Sequence, residues 1–149
     1  MKIITITEEN RYFNEFINHC YNWFGEEKSL SYEDIQKKYL DTLKDDLPKI
    51  RVLTINDTLI GFYEINEKDG IDTEEYTPYL ATVYVKEEYR KKGYSTILIN
   101  DAIKYAQELG YKDLYLHSRI KNYYEKYGFE FLKEVKTPLG NKRVYKHKK

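Results

Sequence analysis

The sequence is poor in the residues and patterns that mark secreted and membrane proteins. It contains a single cysteine, Cys20, so no disulfide bond can form within the chain, as is usual in a reducing compartment such as the cytoplasm. No apolar run approaches the roughly 20 residues that a membrane-spanning helix needs. The opening segment, MKIITITEEN, lacks an apolar stretch followed by a small-residue cleavage site. We therefore expect a cytoplasmic location, no signal peptide and no membrane partner.

The sequence also lacks an excess of charge of either sign. Lysine and arginine number 25, as do aspartate and glutamate, which gives a formal net charge of +0. This balance argues against general attraction to nucleic acid. The final segment, KRVYKHKK, is basic and could touch nucleic acid, but a solvated last strand explains it as well. We expect no nucleic-acid partner, and no pattern predicts a metal site.

The chain does contain enough apolar residues for one core. With 149 residues, of which 41% are hydrophobic, it fits a single domain over residues 1–149. Strand-like and helix-like patterns alternate without a repeat or a linker, which predicts a mixed α+β fold. The predicted strands span residues 2–7, 50–55, 59–65, 79–85, 113–118, 129–135 and 142–147, and the predicted helices span residues 9–24, 31–43, 94–109 and 122–128.

Local signals support these boundaries. Ser31 followed by Asp34 predicts a capping box at the start of the second helix. Gly25 and Gly110 are placed to end the first and third helices. Residues 66–78, with five carboxylates against one lysine, form an acidic loop before the central strand.

The segment YRKKGYSTIL, residues 89–98, joins the central strand to the third helix through a basic turn. A helix N-terminus offers unpaired amides and the positive end of a dipole, which favour an anion. Gly93 lets the backbone approach a phosphate closely, and Ser95 could cap the helix or donate to a phosphate oxygen. The turn matches neither the nucleotide-hydrolase loop nor the dinucleotide fingerprint. On this pattern alone, a charged turn and an anion site are equally good interpretations.

Two segments together resemble the GNAT family of N-acetyltransferases. YVKEEYRKKGYSTILI is similar to the acetyl-CoA motif of that family, with Arg90, Gly93 and Ser95 at its R/Q-x-x-G-x-G/A positions. Ser95 departs from the usual glycine or alanine but is also small. NYYEKYGFEF, residues 122–131, is similar to a second family segment, Tyr-Glu-Lys-x-Gly-Phe. The order of predicted elements also agrees from residue 2 to residue 147.

The resemblance implies a fold, a reaction and a cofactor. The fold would be a mostly antiparallel, twisted central sheet of about six to seven strands flanked by about four helices. The reaction would be transfer of an acetyl group from acetyl-CoA to a primary amine. Many members are dimers, so a homodimer is compatible with the resemblance. Positions that match the family's cofactor contacts are Val83, Tyr84 and Val85 for the pantetheine arm and Arg90, Lys91, Lys92, Gly93, Tyr94 and Ser95 for the pyrophosphate.

The resemblance also assigns a general acid. Tyr124 falls on the position of the tyrosine that protonates the departing thiolate. A phenol with a pKa of about 10 stays protonated at neutral pH. Many relatives carry a general base on the central strand, but Ala81 and Thr82 at the matching positions cannot take a proton. His117 and Glu64 are the candidates elsewhere, and a chain of waters is an equally good alternative.

The acceptor site should lie around the first two helices, which border it in the family. Trp23 and Glu26, near the junction of these helices, and Glu64 on the hairpin are the candidate substrate-binding residues. The acidic loop favours a cationic acceptor such as a polyamine, an aminoglycoside or a basic peptide. Cys20 lies on the apolar face of the first helix and is expected to be a core thiol. A non-catalytic acyl-CoA-binding module with regulatory function is the alternative to an enzyme.

Overall fold

The computed structural model describes residues 1–7, 9–68, 76–138 and 140–147, and its strands form one seven-stranded sheet. The strands are β1 (Lys2–Thr5), β2 (Lys49–Ile55), β3 (Thr58–Asn66), β4 (Tyr79–Val85), β5 (Tyr115–Ser118), β6 (Phe129–Thr137) and β7 (Gly140–His147). The α-helices are α1 (Phe13–Cys20), α2 (Tyr32–Thr42) and α3 (Tyr94–Glu108). A π-helical turn, Tyr21–Gly25, continues α1, and 3-10 turns span Glu87–Tyr89 and Tyr124–Tyr127.

The sheet opens between its fourth and fifth strands. The order is β1-β2-β3-β4-β5-β7-β6, and every neighbouring pair is antiparallel except β4 and β5. The parallel pair has one register position, Tyr79 opposite Tyr115. On the other side of β4, Glu64 pairs with Thr82 and the next pair skips to Leu80, which leaves Ala81 as a bulge. A bulge bends its strand, so β4 and β5 diverge beyond this point.

Each face of the sheet has its own apolar core. Leu98, Ile99 and Ala102 of α3 are buried against one face, while Phe16 and Ile17 of α1 are buried against the other. This arrangement follows from the alternation of side chains along each strand, because successive residues point to opposite faces. α3 therefore packs on one face of the sheet and α1 packs on the other.

A polar cluster holds α3 in place over the sheet. Asp101 of α3 accepts hydrogen bonds from Arg51 of β2, at 3.2 Å from Nε, and from the hydroxyl of Tyr63 on β3. The guanidinium of Arg51 also lies 4.2 Å from the ring centroid of Tyr105. These half-buried contacts fix the position of α3 and hence of its N-terminus.

Most of the predicted elements are confirmed. The predicted α+β fold is present, β4 spans the predicted residues, and the hairpin turns at Asn56 and Asp57 with positive φ of 49° and 63°. The capping box is present in both directions, with Asp34 N bonded to Ser31 Oγ at 3.1 Å and Ser31 N bonded to Asp34 Oδ2 at 3.0 Å. Gly110, at φ 96°, follows Leu109, the C-cap residue of α3.

Two of the predicted helices differ from those in the structure. The first helix begins at Phe13 and not at residue 9, because Asn10 accepts a hydrogen bond from the Tyr12 amide at 2.8 Å and forms a turn there. The segment predicted as a helix over 122–128 is only a four-residue 3-10 turn, so three α-helices, not four, are found in the described residues. Of the acidic loop, residues 69–75 lie outside the described part of the chain.

Candidate functional site

A pocket of about 350 Å³ lies where β4 ends and α3 begins. It is lined by every residue predicted to contact the cofactor except Lys92, and by Tyr89 as well. Lys92 is exposed and its Nζ lies 5.9 Å from the ring centroid of Tyr89. The structure therefore brings the predicted strand and turn residues to one place, with Lys92 at its outside.

The turn at this pocket exposes its backbone. Lys91 and Gly93 both have positive φ, 64° and 85°, and a Cβ built on Gly93 would meet no atom within 4 Å. Gly93 is the N-cap of α3 and supplies no side-chain cap; the first helical hydrogen bond runs from Ile97 N to Gly93 O at 3.4 Å. The amides of Tyr94 and Ser95 come before this first bond in the chain and so have no acceptor within the helix. They can therefore donate to an anion at the positive end of the helix dipole.

Ser95 does not cap the helix, contrary to one of its two predicted roles. It lies inside the first turn of α3, one residue after Tyr94, and the N-cap position belongs to Gly93. Ser95 lines the pocket, so its other predicted role, donation to a phosphate oxygen, stays a prediction.

Arg90 holds the turn against the end of β4. Its Nε donates a hydrogen bond to the carbonyl oxygen of Val85 at 2.8 Å, and its guanidinium lies 5.7 Å from the ring centroid of Tyr84. These contacts use one edge of the guanidinium and keep its positive charge at the pocket. Arg90 therefore contributes both to the shape of the turn and to its charge.

Tyr124 stands at the start of the 3-10 turn that follows β5. It is half-buried, its hydroxyl is hydrogen-bonded to the side chain of Ser118, and its ring lies 6.2 Å from that of Phe129. Burial, helped by the neighbouring Tyr123, raises the pKa of the Tyr124 phenol, although the bond to Ser118 opposes the rise. The hydroxyl is therefore protonated at neutral pH and able to donate.

Two other tyrosines of this turn have different surroundings. The hydroxyl of Tyr127 is hydrogen-bonded to Thr96 of α3 at 2.9 Å. Tyr123 lies beneath the ammonium of Lys126, which is 4.4 Å from its ring centroid. These contacts distinguish both side chains from Tyr124.

A second pocket, of about 500 Å³, lies on the face of the sheet covered by α1 and α2. Glu64 and Thr82, which face each other across β3 and β4, line it together with Trp23. The predicted Glu26 does not line this pocket, whereas Glu27 does. Glu26 is the C-cap residue of the π-helical turn, directly before Glu27.

The carboxylate of Glu64 is the buried acid of this second pocket. The side chain is 9% exposed, and its Oε1 accepts a hydrogen bond from the Tyr39 hydroxyl at 3.2 Å. With its amide oriented to donate, Asn66 lies 3.2 Å from the same oxygen. A buried carboxylate needs such partners, because burial otherwise disfavours its charge.

Cys20 lies beside this carboxylate and stays a thiol. Burial, with the negative charge of Glu64, raises the pKa of Cys20 to about 12. Only the thiolate is a nucleophile, so Cys20 is unsuited to carry an acyl group at neutral pH. It is buried in the core at 3% exposure, as its place on the apolar helix face indicates.

His117 faces the same side of the sheet as Glu64 but lines neither pocket. It is on β5, opposite Val144 of β7, and its ring lies 6.2 Å from that of Tyr79. Leu116 beside it packs toward α3, so His117 points to the opposite side. His117 and Glu64 thus flank the opening between β4 and β5 from different strands.

His19 is a site residue that the sequence analysis missed. Its ring lies 4.0 Å from that of Tyr84 and 5.9 Å from that of Trp23, and these residues line a cavity of about 570 Å³ with Arg90. Among the described residues, its Nε2 is buried without a hydrogen-bond partner. Burial, with the nearby charge of Lys86, lowers the pKa of His19. Its position three residues after the buried Phe16 was the available signal.

The described residues exclude two other kinds of feature. They contain no group of three or more His, Cys, Asp or Glu side chains arranged to hold a metal ion. Within the same ranges, none of the helices has the length and apolar character needed to cross a bilayer.

Solved acetyltransferases share this fold over nearly their whole length. An aminoglycoside 6'-N-acetyltransferase complexed with coenzyme A superposes with a TM-score of 0.71 at 16% identity, covering 98% of this chain and 96% of that one. The ribosomal-protein-alanine N-acetyltransferase from Brucella melitensis gives 0.75 at 16% identity, with 98% of both chains covered. A spermidine N-acetyltransferase mutant from Vibrio cholerae gives 0.74 at 17% identity, with 99% and 94% covered.

Sequence comparison leads to the same family. A search of curated protein sequences finds no significant match. The family model described as "Acetyltransferase (GNAT) family" matches residues 13–129, from the start of α1 to the start of β6. This range includes the basic turn, the opening between β4 and β5, and Tyr124. The chain therefore belongs to the GNAT acetyltransferase family.

Proposed function

We propose that this protein transfers an acetyl group from acetyl-CoA to a primary amine by direct attack of the amine on the thioester. The observation that carries the proposal is the pocket at the start of α3, where the β4 backbone, a turn with positive φ and the first helical amides converge. The family assignment supports the reaction class. The acceptor is a small molecule or a peptide.

The pocket residues suit the two ends of the cofactor's binding arm. The amides of Tyr94 and Ser95 and the charge of Arg90 would hold the pyrophosphate. The backbone of Val83 and Val85 would hold the amide-containing pantetheine arm as an added strand, because β5 diverges from this edge of β4. When bound, acetyl-CoA supplies the thioester that is attacked.

Tyr124 serves as the general acid in this proposal. The phenol holds its proton at neutral pH and would donate it to the sulfur as the carbon–sulfur bond of the thioester breaks. The family register supports Tyr124 over Tyr123 and Tyr127, and the contact of Tyr127 with Thr96 supports the same choice.

Removal of the proton from the amine has two candidate bases. Ala81 and Thr82 on β4 cannot accept a proton, so the base must come from elsewhere or from water. Glu64 is the carboxylate of the pocket beside the bulge, and His117 lies across the opening on β5. We propose that the amine enters through the pocket of Glu64 and Trp23 and that its proton leaves by one of these groups or through water to solvent.

The alternative is a regulatory module that binds acyl-CoA without turning it over. The absence of an acid on β4 favours this alternative, and the protonated Tyr124 opposes it. We further propose that residues 1–149 form one domain, that the protein acts in the cytoplasm, and that it can form a homodimer as many family members do.

Calorimetric titration with acetyl-CoA, followed by a thiol-release assay against a panel of amines, tests the proposal. Micromolar binding with release on an amine is the expected result. Binding without release on any amine would favour the regulatory module. If acetyl-CoA does not bind, the turn and pocket at the start of α3 do not form a cofactor site, and the proposal fails.

A further inference from the structure

We infer that the acceptor amine carries an anionic group, a carboxylate or a phosphate, close to the amino group, and that it is not a polycation. This inference rests on the proposed function and specifies the substrate class of the same site. It comes from the arrangement of charges in the pocket of Glu64, with one acid at the bottom and lysines around the mouth.

The bottom of the pocket suits a single ammonium group. The carboxylate of Glu64 is nearly buried and is oriented by the Tyr39 hydroxyl. Thr82, beside the bulge in β4, lines the same pocket, so an amine bound here lies next to the strand proposed to hold the thioester arm. A carboxylate can accept about four hydrogen bonds, so an ammonium can join the existing partners.

The mouth of the pocket suits an anion. Among the lining residues that the structure describes, three are exposed lysines, Lys28, Lys38 and Lys68, and one is an exposed acid, Glu27. The ammonium of Lys38 lies 5.7 Å from the ring centroid of Tyr39, whose hydroxyl binds Glu64.

This order of charges, negative inside and positive at the mouth, is complementary to an ammonium with a neighbouring anion. A polycation would bind Glu64 with one ammonium and bring its others close to the lysines, where like charges repel. The pocket volume of about 500 Å³ accommodates a small zwitterion. The charges of the described lining residues therefore favour a zwitterionic amine over the polyamine or aminoglycoside that the acidic loop suggested.

Matched pairs of acceptors test the inference, with thiol release as the readout. O-phosphoethanolamine is compared with ethanolamine, an amino acid with its amide, and spermidine serves as the polycation. We expect kcat/KM to be about tenfold or more higher for one anionic member than for its uncharged partner. The pair that shows the effect identifies the anion as a phosphate or a carboxylate. Higher kcat/KM for spermidine, or equal values within both pairs, would overturn the inference.

Charge reversal at the mouth provides the second arm. Lys38→Glu should lower kcat/KM for the preferred anionic amine by about fivefold to tenfold while the calorimetric affinity for acetyl-CoA stays unchanged. Lys37→Glu is the matched control, because Lys37 is the exposed neighbour on α2 and does not line the pocket. Equal effects of the two reversals would contradict the inference.

The two arms separate this inference from the proposed function. Thiol release on an uncharged or polycationic amine, without preference for an anion, would leave the transferase proposal standing and refute the inference alone. Acetyl-CoA binding without release on any acceptor would refute both.

Discussion

At the scale of single residues, the surroundings of Tyr124 affect the protonation of its hydroxyl. A phenol in water already stays protonated at pH 7. Burial, with Phe129 and Tyr145 packed nearby, strengthens this preference by raising the pKa of Tyr124, while the interaction with Ser118 opposes the rise. Replacing the residue therefore tests a role in chemistry with little change in packing.

We predict that Tyr124→Phe lowers kcat by about a hundredfold or more, since general acid catalysis contributes on the order of 10² to 10⁴. The calorimetric dissociation constant for acetyl-CoA should change little, because the ring remains. Tyr127→Phe is the control, since it also loses one hydroxyl of the same turn and should keep its rate. An unchanged rate in Tyr124→Phe would remove the assigned role.

His19 makes stability depend on pH in a defined direction. Its pKa is lowered in the folded protein by burial and by Lys86, so the unfolded chain binds a proton more readily. Stability from this residue is therefore present above the unfolded pKa of about 6.5 and is lost as the pH falls toward the folded value.

We expect acidification to destabilise the wild type more than His19→Phe. Urea unfolding at about pH 7.5 and about pH 5.5 measures this, since the variant has no group to titrate at this position. The drop in the free energy of unfolding should be smaller in the variant. Equal drops would mean that His19 does not titrate in this range.

At the scale of elements, α3 and the turn before it form the proposed cofactor site together. The helix supplies its first amides, and the turn supplies positive φ at Lys91 and Gly93. Asp101, held by Arg51 and Tyr63, fixes where that helix begins in space. A change in the turn should therefore alter binding while leaving the packing of the helix intact.

Two glycines at opposite ends of α3 allow a matched test of this element. Gly93 and Gly110 have similar φ, 85° and 96°, and at either position a Cβ would meet no atom within 4 Å. Gly93→Glu and Gly110→Glu should each cost about 1 kcal/mol or somewhat more of stability through backbone strain. Only Gly93→Glu should lower acetyl-CoA affinity, by about a hundredfold or more, because it places a negative charge at the pyrophosphate site.

Calorimetry on both glycine variants, with circular dichroism to confirm folding, decides this prediction. Normal affinity in a folded Gly93→Glu protein would refute the assignment of the turn. Equal loss in the Gly110 variant would indicate a general effect on α3.

For the whole molecule, the opening in the sheet is the decisive feature. β4 and β5 belong to the two halves of the sheet and are paired at Tyr79 and Tyr115 alone. A ligand arm along β4 would fill this opening and contact both halves. Ligand binding to the folded state alone raises stability by mass action.

We therefore expect acetyl-CoA to raise the melting temperature. At about one hundred times its dissociation constant the gain is about 2.7 kcal/mol. For a chain of this size that corresponds to a shift of about 5–10 °C. Differential scanning fluorimetry with and without ligand measures it, and Gly93→Glu should show no shift. A wild-type melting temperature that does not change when acetyl-CoA is added would contradict the proposed binding site.

The features of the fold and the site that could be predicted from the sequence were those set by local patterns. The capping box of Ser31 and Asp34, the hairpin turn and the strand YLATVYV each depend on residues close together in the chain. The basic turn and Tyr124 were found for the same reason, because each lies in a contiguous segment. The sequence did not separate Glu26 from the adjacent Glu27, because no local pattern distinguishes the two carboxylates that follow the π-helical turn.

The amino-acid order alone determined the class of fold and the place of the basic turn, because periodicity, capping and glycine conformation act over a few residues. Tyr124 became the candidate acid through the resemblance of its segment to the family. The tertiary structure determined the bulge at Ala81, the opening between β4 and β5, the contact of His19 with Tyr84, and the pocket that Glu64 shares with three lysines. Those features join residues far apart in the chain, and their positions follow from how the helices pack on the two faces of the sheet.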